Sequence, residues 1–224
     1  MKKSMIIVAG GSGTRMGAEI PKQFIELNGK PILMHTLQKM HSVDENMQLI
    51  LVLPAAELDA WEQLCYKHDF CLPHVMAQGG STRFLSVKSG LELAEDSDLI
   101  GVHDGVRPLF STELIIRLFA EAEKSLAAIP VTPVIQSLRK VDGDANQAVN
   151  REDYRQVQTP QCFAASVLKK AFANATQVNY SDDAAVVEAD GKSISLVEGE
   201  LNNIKITTPI DLQLAELIIA RLPD

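Results

Sequence analysis

The 224-residue sequence has only three cysteines, no linker-like stretch of serine, glycine or proline, no basic excess and no long apolar run. Cys65, Cys71 and Cys162 are odd in number and lack Cys-x-x-Cys spacing. That argues against a disulfide framework or a thiolate metal site and for reduced thiols in the cytoplasm. Without a linker, one large domain over residues 1–224 is expected, long enough to bury a substantial core. A formal net charge of −8 disfavours a nucleic-acid-binding surface. Lys2 and Lys3 precede the apolar Met5–Ala9, but glycines and Arg15 follow at once. That run is too short for a secretory core or a membrane span, so neither nucleic acid nor membrane is an expected partner.

What is present has the composition of a globular protein, 46% hydrophobic and 22% charged. Charge is unevenly spread, with +4 over residues 1–40 and −12 over the rest. A basic N-terminus on an acidic chain suits a small anionic ligand, although chance clustering gives the same pattern. Apolar runs at Ser4–Ala9, Leu49–Leu53, Leu99–His103 and Ala127–Val131, with a shorter one at His74–Ala77, read as strands. Helical spacing appears over Pro31–Met40, Ala55–His68, Thr82–Ala94 and Thr112–Lys124, the last capped by Ser111. Thr208-Pro209-Ile210-Asp211 marks a final helix start, with Leu212, Ala215, Ile218 and Ile219 facing inward.

Strands alternating with helices predict an α/β fold, Rossmann-like, with a mostly parallel sheet covered by helices on both faces. One segment breaks the alternation. Gln136–Val141 and Ala148–Val157 flank Asp142-Gly143-Asp144 and read as a polar β-hairpin with little core of its own. Residues 135–158 are therefore expected to project as an arm onto a second subunit. Tyr154, Trp61 and the methionines read as packing.

The first strand runs into Gly10-Gly11-Ser12-Gly13-Thr14-Arg15, at the strand end where open parallel sheets gather ligands. Glycines let successive backbone N–H groups approach phosphate oxygens. No Lys-Ser or Lys-Thr follows Gly13 or Gly17, which excludes a P-loop. Met16 stands where a dinucleotide fingerprint needs its last glycine, and Leu53-Pro54 supplies no acidic ribose ligand.

What remains is Gly-Gly-x-Gly-Thr-Arg followed by Pro21-Lys22-Gln23-Phe24. Further along come Gly79-Gly80 with Arg83 and Ser86-Val87, His103-Asp104 with Arg107-Pro108, Gln158-Thr159-Pro160-Gln161 and Asn203-Ile204-Lys205-Ile206-Thr207. With these motifs, in order and nearly end to end, the chain resembles the sugar-phosphate nucleotidyltransferases. Within them it is similar to the 2-C-methyl-D-erythritol 4-phosphate cytidylyltransferase family, which supplies isoprenoid precursors.

The resemblance implies a reaction between CTP and a polyol phosphate, with Mg2+ or another divalent cation bridging triphosphate oxygens. Attack on the α-phosphorus concentrates negative charge, so catalysis rests on positioning and cationic stabilisation. Arg15 and Lys22 match the family's triphosphate cations, and Lys205 matches a further positioning cation. Ala9, Gly10, Gly11, Gly13 and Thr14 match the nucleotide loop. Gly79, Gly80 and Ser86 match the cytidine contacts, while Ser81 stands where relatives often carry an acidic residue. Arg151, on the arm, matches an arginine that reaches the partner's site and grips the polyol phosphate with its planar fork. Ser137 stands where relatives usually have threonine, another substrate contact. The arm thus implies a homodimer.

Other residues keep two readings. Asp104 can accept from a ribose or polyol hydroxyl, or approach a metal, or form a turn. Arg107 either binds substrate or braces its loop. Thr159 either orients substrate or starts the Thr159-Pro160 turn. His103 reads as structural, since no ligand set or triad surrounds it. The metal ligands are not legible. Val106 before Arg107 is shared with the sister ribitol 5-phosphate cytidylyltransferases, whereas Val157 before Gln158 and Arg151 followed by Tyr154 lean toward methylerythritol. A non-catalytic nucleotide-binding protein on the same fold is the remaining alternative.

Overall fold

A computed structural model describes residues 1–11 and 20–221. The strands are β1 (Lys3–Val8), β2 (Glu26–Leu27), β3 (Lys30–Pro31), β4 (Gln48–Leu53), β5 (Val75–Gln78), β6 (Leu99–Asp104), β7 (Ala127–Pro133), β8 (Leu138–Asp142), β9 (Ala145–Val149), β10 (Arg155–Val157), β11 (Gln161–Ala164) and β12 (Ser195–Glu198). The helices are α1 (Ile32–Val43), α2 (Leu58–Lys67), α3 (Arg83–Leu93), α4 (Thr112–Ser125), α5 (Ala165–Asn174), α6 (Asp183–Ala189) and α7 (Pro209–Ile219).

Central strand β1 pairs in parallel with β4 on one side and β6 on the other, and β4 continues in parallel to β5. Beyond β6 comes β11, antiparallel to both β6 and β7. Ala128 of β7 pairs with both Cys162 and Ser195, and Val131 with both Val157 and Glu198. Strands β10 and β11 therefore follow one another along one edge of β7, with β12 along the other. Their junction is the Gln158-Thr159-Pro160 turn, which contains a cis peptide bond before Pro160. The chain leaves β1 toward β4 and later returns to β1's other side at β6. That reversal opens a crevice at the strands' carboxyl ends, where ligands bind in open α/β sheets.

Alternation along the strands divides the core between the two faces of the sheet. Met5 and Ile7 pack with Leu33, Leu37, Trp61, Leu114 and Leu118 on one face. Ile6 packs with Phe84, Val87, Leu168 and Phe172 on the other. A smaller cluster of Leu27, Ile32, Val106, Leu109 and Ile206 seats α7 through Ala215. Ser111 caps α4, accepting from Leu114 N–H at 3.0 Å. Thr208 and Asp211 form a reciprocal capping box on α7.

The structure departs from the sequence pattern in several places. The expected Ala55–His68 helix opens with a 3-10 turn over Ala55–Glu57 before α2 begins. The second hairpin strand is not continuous. The Asn150 side chain accepts from Glu152 N–H and caps a 3-10 turn over Arg151–Asp153, after which β10 leaves the hairpin for β7. The two-stranded β8–β9 sheet is exposed along nearly all its length. Tyr154, expected in packing, is exposed, whereas Trp61 is fully buried and stacks on Phe24. Among the described residues no helix is long and apolar enough to cross a membrane.

Candidate active site

Two cavities open at the carboxyl ends of the central strands. The first, of about 280 Å³, is lined by Ala9, Gly10 and Gly11 after β1, Lys22, Gly80 to Arg83 and Ser86 at the start of α3, Asp104, and Lys205. The second, of about 210 Å³, lies beside Arg107, Gln158, Thr159, Gln161, Ser181 and Asp182. Arg83, Asp104 and Lys205 line both, and so form the wall where the cavities meet.

The first wall is a pair of backbone loops. Ala9 N–H donates to Val52 O at 3.0 Å, which extends β1 by one residue before the glycines. A Cβ on Gly11 would stand 2.9 Å from Lys22 Cε, so the missing side chain lets the lysine lie against the loop. Opposite, Gly79 N–H donates to Leu53 O at 2.7 Å and Gly80 N–H to Ser86 Oγ at 3.2 Å. The Ser86 hydroxyl in turn donates to Thr82 O at 3.0 Å, and Thr82 caps α3 by accepting from Leu85 N–H. A Cβ on Gly80 would meet Leu85 Cβ at 2.4 Å, so only glycine fits this close pass over the helix start.

At the shared wall one carboxylate faces three cations. Asp104 Oδ2 lies 3.0 Å from both Lys205 Nζ and Arg107 Nε, and Asp104 Oδ1 lies 3.9 Å from Arg83 Nε. Burial alone would raise the Asp104 carboxyl. The Lys205, Arg107 and Arg83 charges outweigh it and hold the group well below the usual carboxylate range. Arg83 is held from behind by Asp183, with bidentate bonds of 2.8 and 2.7 Å. Burial pushes the Asp183 carboxyl up, and the Arg83 guanidinium acts against that. Despite its own burial, Arg83 is held firmly protonated by Asp183.

His103 is fully buried and neutral. Its Nε2–H donates to Arg107 O at 2.9 Å, since a carbonyl can only accept, which leaves Nδ1 as an acceptor. Thr159 Oγ1, 3.1 Å away, donates to Nδ1 while accepting from Asp104 N–H at 3.0 Å. Burial brings the His103 pKa down to about 4.

Most residues singled out from sequence converge here. Ala9, Gly10, Gly11, Lys22, Gly80, Ser86, Asp104 and Lys205 line the first cavity, with Gly79 immediately behind Gly80. Arg107 and Thr159 line the second. Gly13, Thr14 and Arg15 lie outside the described residues. Ser137 and Arg151 line neither cavity of their own chain. Arg151 is half-exposed and bonds to Ile135 O and Glu152. Sequence reasoning gave no role to Arg83 and did not find Asp183. Arg83 stood within a quoted motif, but nothing local marks a partner 100 residues away.

A glycine-lined crevice at the carboxyl ends of a mostly parallel sheet, with cations around one carboxylate, suits a nucleotidyltransferase. The family description "2-C-methyl-D-erythritol 4-phosphate cytidylyltransferase" matches residues 4–221. A protein of that name from Bacteroides fragilis is 49% identical over 98% of this chain and 100% of its own length. The crystal structure of the Thermus thermophilus enzyme of that name superposes with a TM-score of 0.81 at 36% identity, covering 99% of this chain and 100% of that one. The structure of a 4-diphosphocytidyl-2C-methyl-D-erythritol synthase from Anaerococcus prevotii gives a TM-score of 0.84 at 30% identity, covering 98% and 96%. The chain belongs to the 2-C-methyl-D-erythritol 4-phosphate cytidylyltransferase family.

Proposed function

We infer that the chain transfers a cytidylyl group from CTP to 2-C-methyl-D-erythritol 4-phosphate, releasing pyrophosphate, in isoprenoid precursor synthesis. Family membership selects this acceptor over ribitol 5-phosphate. The observation that carries the reading within the molecule is the shared wall of Arg83, Asp104 and Lys205 between two cavities. Two anionic substrates meeting at one phosphorus need such a wall, with cations facing both.

In this reading CTP lies in the first cavity, its base against Gly79, Gly80 and Ser86 and its phosphates along Ala9, Gly10, Gly11, Gly13 and Thr14. Arg15 and Lys22 hold the triphosphate and stabilise the charge that develops on the α-phosphorus. The polyol phosphate lies in the second cavity beside Arg107 and Thr159. Lys205 sits at the junction, where it can steer the attacking phosphate oxygen. Asp104, kept ionised by its neighbours, accepts from a hydroxyl and holds Lys205 in place. Proximity does much of the work, because both reactants are already charged and need no proton removed.

Among the described residues Asp104 is the only carboxylate lining the first cavity, and no three metal-ligating side chains cluster. That donor set fits Mg2+ bound mainly through substrate phosphates with one carboxylate nearby, as Mg2+ usually binds. When bound, the ion neutralises charge on the triphosphate.

The arm over residues 135–158 belongs to the same domain and packs on a second copy of the chain. Arg151 and Ser137 then reach the partner's second cavity, which accounts for their distance from their own. The enzyme works in the cytoplasm as a homodimer, with CTP and the polyol phosphate as its small-molecule partners and no nucleic acid or membrane. Pyrophosphate release that requires both CTP and the polyol phosphate, and that falls sharply in folded Arg15→Ala and Lys22→Ala variants, is the expected result. Unchanged turnover in both variants would remove the mechanism. Mixing Lys22→Ala and Arg151→Ala chains should restore about a quarter of the wild-type rate, through one intact site per mixed dimer. No recovery on mixing would refute the shared site.

A further inference from the structure

Behind the shared wall, four residues from three separate segments close a ring of hydrogen bonds. His103 Nε2 donates to Arg107 O at 2.9 Å. Arg107 Nη1 donates to Asn203 O at 2.8 Å. Asn203 Nδ2 donates to Thr159 O at 2.9 Å. Thr159 Oγ1 returns to His103 Nδ1 at 3.1 Å and also takes Asp104 N–H. His103 and Asn203 are fully buried, so neither touches solvent or a bound substrate.

The ring links the end of β6, the turn between β10 and β11, and the irregular segment that leads into α7. Those three segments carry Asp104 and Arg107, Thr159, and Lys205 respectively. Asn203 is an odd choice for stability alone. Its Oδ1 is buried without a hydrogen-bond partner among the described residues, a cost that an apolar side chain would avoid. What the amide does supply is one donor to Thr159 O, while its own backbone carbonyl takes the Arg107 guanidinium.

We propose that Asn203 and His103 are positioning residues for cytidylyl transfer, holding Arg107 and Lys205 at the acceptor side of the wall through this buried ring. The proposal rests on the reading of Arg107 and Lys205 given above. Arg107 Nε faces Asp104 while Nη1 is anchored on Asn203 O, and Lys205 lies two residues beyond that anchor. Loosening the anchor would let the guanidinium and the ammonium drift from the acceptor while leaving the nucleotide loops at Gly10 and Gly80 untouched. A misplacement of about 1 Å is enough to cost up to about a hundredfold in rate.

The test is steady-state turnover of CTP with 2-C-methyl-D-erythritol 4-phosphate, paired with calorimetric CTP affinity. In Asn203→Ala, kcat/KM for the polyol phosphate should fall between about ten- and a hundredfold, while CTP affinity changes by less than about twofold. His103→Asn breaks the ring at another joint and should give the same split, so it carries the test if Asn203→Ala does not fold. Added to Arg107→Ala, the Asn203→Ala change should cost less than it does alone, because part of its effect runs through that guanidinium and only the share carried by Lys205 is left. A fully active Asn203→Ala, losses that multiply with those of Arg107→Ala, or equal losses in CTP affinity and acceptor turnover would each overturn the proposal. Undiminished turnover in Arg107→Ala itself would instead refute the site reading, and the ring's role with it.

Discussion

Lys205 Nζ stands 3.0 Å from Asp104 Oδ2, joining the residue that ends β6 to one that lies just before the last helix. Arg107 Nε reaches the same oxygen at 3.0 Å. A single carboxylate oxygen thus gathers two cations, and the site keeps positive charge to spare for its anionic substrates. Lys205 is partly exposed, and Arg107 and Arg83 still face Asp104 without it, so losing this one partner costs only modest stability. Lys205→Ala should lower kcat by about a hundredfold, the scale of losing one transition-state contact, with only a modest change in Tm. Turnover assays and thermal melts on the same preparation would check both halves.

Asp183 presents a contrast, because it touches no substrate cavity and supports Arg83 from a fully buried position. Removing its charge would leave Arg83 without its bidentate partner. Asp183→Asn is expected to cost roughly 3 kcal/mol of folding stability, read from urea denaturation, and to lower turnover only together with that loss, through the displaced Arg83. Loss of turnover in protein that melts normally would place Asp183 in the chemistry instead.

Stability should also depend on pH through His103. Its pKa in the folded protein is lowered to about 4 from an ordinary 6.5, so below 6.5 the unfolded chain takes up a proton that the folded chain refuses. Stability is therefore full above that value and declines as pH falls toward 4, by about 3 kcal/mol in all. Asp104 acts in the same direction at still lower pH, since its depressed carboxyl keeps its charge after the unfolded chain has lost it. Denaturation midpoints between pH 7 and 4 would show the slope, and His103→Gln should flatten it.

How much of this was legible in the sequence depended on whether the signal was local. Strands β1, β4 and β6 announced themselves as apolar runs because both their faces are covered. Helices α4 and α7 carried their own caps at Ser111 and Thr208. The hairpin was visible as two polar strands about a turn, but not its break. Residues 148–157 look uniformly extended until Asn150 caps a turn and β10 finds a partner in β7. Strand β11 could not be read as antiparallel from its own residues, since direction is set by where the chain returns. For the site, Lys22, Asp104 and Lys205 stood in motifs. Arg107 kept two readings; it lines the second cavity, and its Nη1 donates to Asn203 O. The Arg83–Asp183 pair was invisible because only the fold brings residues 100 positions apart into contact.

The most direct test of the account is pyrophosphate release by the purified protein with CTP, comparing 2-C-methyl-D-erythritol 4-phosphate with ribitol 5-phosphate. The account predicts turnover with the methylerythritol phosphate and little or none with the ribitol phosphate. Activity with ribitol 5-phosphate alone would contradict it.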